Sequence, residues 1–131
     1  MGIMSWIEGR LAPAKAPEQI SGHEKSYYYE AVEIWVDWRY GGRYGKDCKD
    51  LGIRKGDRLH LVPEPTRDIP KSVSVYWKNT KVGVMKENRL QDMVHQWLDA
   101  DLPIYCAAAA VGGNEKLQLE LCFYGKPGKN K

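Results

Sequence analysis

Residues 116–123 read KLQLELCF, and Leu117, Leu119, Leu121 and Phe123 alternate without a break with Gln118, Glu120 and Cys122. A two-residue period puts all four large apolar side chains on one face of an extended strand, and it gives a helix no continuous apolar stripe. The same period runs through YYYEAVEIWVDW at 27–38. There Tyr28, Val32, Ile34, Val36 and Trp38 are expected on one face, and Tyr29, Glu33 and Asp37 on the other. RLHLV (58–62) and SVSVYW (72–77) repeat the pattern, with Leu59, Leu61, Val73, Val75 and Trp77 pointing inward. Asn79-Thr80 turns the chain into KVGVM at 81–85. IYCAAAAV (104–111), the turn GGN (112–114) and the final strand make a second hairpin. The four alanines favour a helix by propensity, but Ile-Tyr before them and Val-Gly-Gly after them favour a strand.

One helix breaks this run of strands. Leu90, Met93, Val94, Trp97 and Leu98 follow helical spacing, Asn88 is placed to cap it with Gln91 three residues on, and Pro103 closes the region. A second, shorter helix is expected at 47–53. The sum is a mainly β protein with one or two helices: a small six-stranded OB-like or SH3-like β-barrel with a helix packed across one end.

A chain of 131 residues holds one well-filled domain. Residues 1–26, with LAPAKAPEQ inside them, read as a flexible N-terminal extension, 27–125 as the barrel, and 126–131 as a basic flexible tail. No signal peptide or membrane-length apolar run is evident, and three cysteines without CxxC spacing suit a reducing cytoplasm. Cys106 and Cys122 lie on the two arms of the last hairpin. If the loop covers 112–115, Val111 faces Lys116 and Cys106 faces Leu121; a loop longer by one residue sets Cys106 opposite Cys122, where a disulfide between directly opposed strands is strained. Cys106 is expected as a small strand residue and Cys122 as an outward free thiol, with no disulfide between them.

Catalytic chemistry finds no footing. His23, His60 and His95 are scattered, no HExxH or GxSxG occurs, and GRYGKD lacks the spacing and hydroxyl of a phosphate loop. No enzyme, metal or cofactor is expected. What stands out is WVDWRYGGRYGK at 35–46. At least one of Trp35 and Trp38 is expected in the core. Arg39-Tyr40 and Arg43-Tyr44, four apart across glycines, put forked donors and ring faces on one edge, which suits phosphates and unstacked bases. By themselves these residues fit a solvated basic loop equally well. Residues 1–125 balance at 17 cations and 17 carboxylates, whereas 39–58 carry seven cations against three carboxylates, so contact with an anionic partner should be local.

From Arg39 to Gly125 the chain resembles the HIRAN domain family. The matching features are Trp38-Arg39-Tyr40 after the first strand; Gly56-Asp57-Arg58-Leu59-His60-Leu61-Val62-Pro63 running into Glu64-Pro65; Lys81-Val82-Gly83-Val84; the helix; and the ending Phe123-Tyr124-Gly125. About two-thirds of the chain is covered. The resemblance implies an OB-like barrel that binds DNA, with single strands or strand ends preferred, in repair or replication. The candidate nucleic-acid-binding residues are Arg39, Tyr40, Arg43, Tyr44 and Lys46, joined by Asp68, Lys86 and Phe123 from the segments that carry the resemblance. Two departures weaken recognition of a strand end: Thr66–Ser72 lacks the family's Asn and shifts the acid to Asp68, and Val84 stands where His or Tyr is usual. The alternative is a protein-interaction adaptor that uses the N-terminal segment. The chain is expected to be a monomer without membrane contact.

Overall fold

A computed structural model describes residues 16–36, 52–112 and 116–128. Within them lie seven strands and one helix: β1 (Gln19–Ile20), β2 (His23–Val36), β3 (His60–Pro63), β4 (Val73–Trp77), β5 (Thr80–Met85), α1 (Asn88–Asp99), β6 (Ile104–Gly112) and β7 (Lys116–Tyr124). The strands form one antiparallel sheet in the order β3-β4-β5-β2-β7-β6, with β1 added to the start of β2. The sheet curls into a half-barrel. Its two ends are tied by the run entering β3: Gly56 and Leu59 donate backbone hydrogen bonds to Ala108 and Cys106 of β6, and Ala108 donates back to Asp57.

The bend lies in β2. Its first part pairs with β7 and its last three residues pair with β5, so one 14-residue strand serves both halves of the sheet. A bulge between Tyr29 and Val32 adds a residue to β2 and reverses which face its side chains take. Tyr29 therefore packs on the core with Val32 and Ile34, and Tyr28 falls on the opposite face, against the simple alternation expected there. β7 does alternate as read: Leu117, Leu119, Leu121 and Phe123 all lie in the main core.

Helix α1 lies over that core through Leu90, Val94 and Trp97, all buried. Asn88 is its first residue, and Glu87 precedes it at the cap position without a side-chain cap hydrogen bond. Gln91, expected in a capping pair, is instead buried. Its Oε1 accepts from Val73 N at 3.1 Å and its Nε2 donates to Met85 O at 3.2 Å, so it fastens the start of α1 to β4 and β5. The expected helix at 47–53 falls almost wholly outside the described residues.

A second, smaller cluster covers the other face of β6 and β7. Ala16, Tyr105, Ala107, Cys122 and Tyr124 are buried together, with Ile20 against them. Of residues 16–26, expected as part of a flexible extension, Gln19–Ile20 and 23–26 are strand and Ala16 packs against the sheet. Cys122 does face away from Leu121 and Phe123, but the segment from Ala16 to Ile20 packs over that side, so the thiol is buried and not outward. Cys106 sits opposite Leu121 as expected. The route differs, since Val111 pairs with Leu117 and a bulge between Ala108 and Ala110 restores the register.

A candidate nucleic-acid interface at the β2 bulge and the start of α1

β2 reaches its end at Val36, beside Gly83 of β5. A Cβ at Gly83 would collide with the backbone carbonyl of Trp35, so only glycine allows the two strands to run this close. Trp35, one residue earlier, turns outward and is 64% exposed. Large aromatics seldom stand this far into water, and the expectation that Trp35 or Trp38 is core therefore does not hold for Trp35; Trp38 lies outside the described residues. The Lys86 ammonium rests 4.4 Å from the Trp35 ring centre and 3.2 Å from Glu33 Oε1.

Beside this pair, the β2 bulge and the first turn of α1 enclose a cleft of ≈ 530 Å³, with Tyr29, Glu30, Glu33, Lys86, Glu87 and Arg89 on its walls. The Arg89 guanidinium stands 6.0 Å from the Tyr29 ring centre. A volume of this size suits one small ligand or one unstacked base. Three carboxylates face two cations, so the walls do not form a phosphate channel. The cleft and the Trp35 edge beside it together present two aromatic rings, Tyr29 and Trp35, each with a cation near its face.

Of the residues picked from sequence, Lys86 is at this cleft and Asp68 is exposed on the loop joining β3 to β4. That loop is pinned by Thr66, whose backbone N–H donates to Ile69 O at 3.0 Å and whose Oγ1 accepts from Ile69 N at 2.9 Å. Phe123 is fully buried, edge-on to Trp97 and Tyr29 with ring centres 5.1 and 6.2 Å away, so its ring face is spent on packing and not offered to a base. Arg39, Tyr40, Arg43, Tyr44 and Lys46 lie outside the described residues. The chain that carries them leaves β2 at Val36 and returns at Gly52, where a Cβ would meet the Trp77 ring at 3.5 Å.

Sequence reasoning missed Trp35, Tyr29 and Arg89. Alternation across 27–38 could not reveal the bulge that turns Tyr29 and the cleft toward α1. Glu64, singled out only as part of Glu-Pro, ties the outer faces of β3, β4 and β5. Its carboxylate accepts from Tyr76 OH and Ser74 Oγ, each at 2.7 Å, and from Lys81 Nζ at 3.3 Å. The hydrogen bonds from Tyr76 and then Ser74 hold its pKa below the ordinary carboxylate value. His95 Nε2 is buried without a hydrogen-bond partner, and no grouping of His, Cys, Asp or Glu that could hold a metal occurs among the described residues.

No protein-family model matches this chain, and neither a curated protein nor a solved structure matches it.

Proposed function

We propose that this protein is a non-enzymatic DNA-binding module that prefers unpaired strands, built on an OB-like barrel of the HIRAN type. The observation that carries the reading is the exposed indole of Trp35 under the Lys86 ammonium, at the end of the strand that leads into Arg39-Tyr40-Gly41-Gly42-Arg43-Tyr44. A ring already covered by a cation can exchange it for a base face, and the released lysine can meet the neighbouring phosphate. Attraction of the backbone falls to residues 39–58, with their seven cations against three carboxylates. The role of the cleft is to receive one splayed base beside Tyr29, not to bind the phosphate chain.

Fluorescence-anisotropy competition tests this. A labelled single strand bound to the protein should be displaced by an unlabelled single strand and far less by a blunt duplex of the same sequence. Arg39→Ala and Tyr40→Ala should weaken the complex by about 1–3 kcal/mol each. Equal competition by duplex and single strand, with both variants unchanged, refutes the reading.

The balance of charge at the cleft favours a second reading, an adaptor that binds an extended peptide through the exposed Trp35 face. It predicts capture of a protein partner that is lost in Trp35→Ala while single strands fail to bind the parent protein.

A further inference from the structure

The N-terminal edge of the fold is held differently from the rest. Residues 16–20 touch the small cluster on the outer face of β6 and β7 and take no part in the main core. Ala16 fits beside Tyr105, Ala107, Cys122 and Tyr124. Its backbone N–H donates to Glu120 Oε2 at 3.0 Å, and the same oxygen accepts from Tyr28 OH at 2.7 Å. Tyr124 OH donates to Pro17 O, and Lys25 N donates to Glu18 O at 3.2 Å. β1 adds two residues of pairing, Gln19 with Glu24 and Ile20 with His23. The chain's own strap thus covers the outer face of β6 and β7 through the Ala16 side chain, the Pro17 and Glu18 carbonyls and the β1 pairing.

The strap is joined to β2 by two residues only, Ser21 and Gly22, with φ of 50° and 80°. Both sit in the left-handed region. Glycine tolerates it, whereas serine, unlike Asn, Asp or Gly, is poorly suited to the first position of such a turn. Short hinges under strain are where strand exchange begins, because opening the hinge relieves the strain while every docking contact is remade on another copy. Upstream lies a second Ala-Pro pair, Ala12-Pro13, four residues before Ala16-Pro17.

We propose that the outer face of β6 and β7 is an interface between two copies of this chain, each placing its Ala16–Ile20 strap on the other's Tyr105, Glu120, Cys122 and Tyr124, with Ser21-Gly22 as the hinge. Return of the strap to its own chain is favoured by an effective concentration on the order of mM for so short a link. Exchange in the parent protein therefore grows in as concentration rises toward that range, and anything that strains the turn further moves it to lower concentration.

The test uses the full chain and two hinge variants of opposite sign. A Cβ at Gly22 would meet nothing within 4 Å, so Gly22→Ala adds backbone strain and no clash. Light scattering after size exclusion should show several-fold more of the species at twice 15.0 kDa for Gly22→Ala than for the parent at equal concentration, and less for Ser21→Gly. Alkylation of Cys122, read by peptide mass spectrometry, should stay slow in the Gly22→Ala dimer, because a strap still covers it. Deletion of residues 1–20 should abolish the dimer and speed alkylation of Cys122 at least tenfold. The proposal is overturned if Gly22→Ala stays monomeric with fast-reacting Cys122, which means a strap that merely detaches. It is equally overturned if the deleted chain still dimerises, which places the interface elsewhere.

Discussion

The Lys86 ammonium lies 4.4 Å from the centre of the Trp35 ring and 3.2 Å from Glu33 Oε1. A cation–π contact at an exposed site contributes about 0.5–1 kcal/mol, and a surface ion pair adds little more. Neither is needed to hold the fold. Trp35→Ala should therefore shift thermal unfolding by no more than the usual surface substitution, about 0.5 kcal/mol or less. It should weaken single-strand binding by about 1–3 kcal/mol. Calorimetric melting and a binding titration on the same preparation separate the two effects.

Phe123 gives the opposite pattern. Its ring is fully buried between Trp97 and Tyr29, so Phe123→Ala should cost about 3–5 kcal/mol in urea unfolding, with any loss of binding following the loss of folded protein. If Phe123→Ala abolished binding with unfolding unchanged, its place in the core would be contradicted.

Much of this arrangement was legible in the sequence. The alternation of Leu117, Leu119, Leu121 and Phe123 identifies the core face of β7, and Leu90, Val94 and Trp97 at helical spacing identify the buried face of α1, whereas Leu98, expected on that face, is exposed. What was not legible comes from single inserted residues and from covering segments. One bulge after Tyr29 exchanges the faces of β2, and no period survives an unannounced odd residue. Cys122 reads as outward because alternation reports a face of the strand. It carries no information that Ala16 and Ile20 return to cover that face. Gln91 reads as a capping residue because spacing cannot show that the backbone groups of Val73 and Met85 lie within reach.

Gln91 supplies a further prediction. Gln91→Ala leaves the Val73 N–H and the Met85 carbonyl without this partner where α1 meets β4 and β5. The expected loss is about 1–3 kcal/mol of stability. Hydrogen exchange should quicken first at Val73 and the start of α1, ahead of β7.

Gly83→Ala should be among the most damaging small changes, at about 1–3 kcal/mol, since its methyl group meets the Trp35 carbonyl. The separation of β2 from β5 would also displace the Trp35–Lys86 pair. Binding should then fall further than the melting curve alone explains.

Burial fixes the alkaline limit of stability. The Cys106 thiol is pushed from 9.0 up to about 12 by burial, burial likewise raises Cys122, Tyr105 and Tyr124, and Tyr28 is raised chiefly by its hydrogen bond to the Glu120 carboxylate. Above about pH 9 the unfolded chain releases thiol protons that the folded chain retains. The folded form then binds more protons, and stability falls as pH rises from about 9 toward 12. Urea midpoints measured across that range should decline, and Cys106→Ser should flatten the first part of the decline.

The claim that the Trp35 edge binds unpaired strands is tested most directly by the tryptophan indole N–H signals in a ¹⁵N–¹H spectrum. The Trp97 indole donates to the Tyr124 carbonyl at 2.7 Å inside the fold, whereas Trp35 faces solvent. On titration with a short single strand, the Trp35 signal, assigned by its absence in Trp35→Phe, should move progressively to saturation while the Trp97 signal holds still. A Trp35 signal unmoved at saturating strand, or no signal moved at any ratio in low salt, would contradict the account.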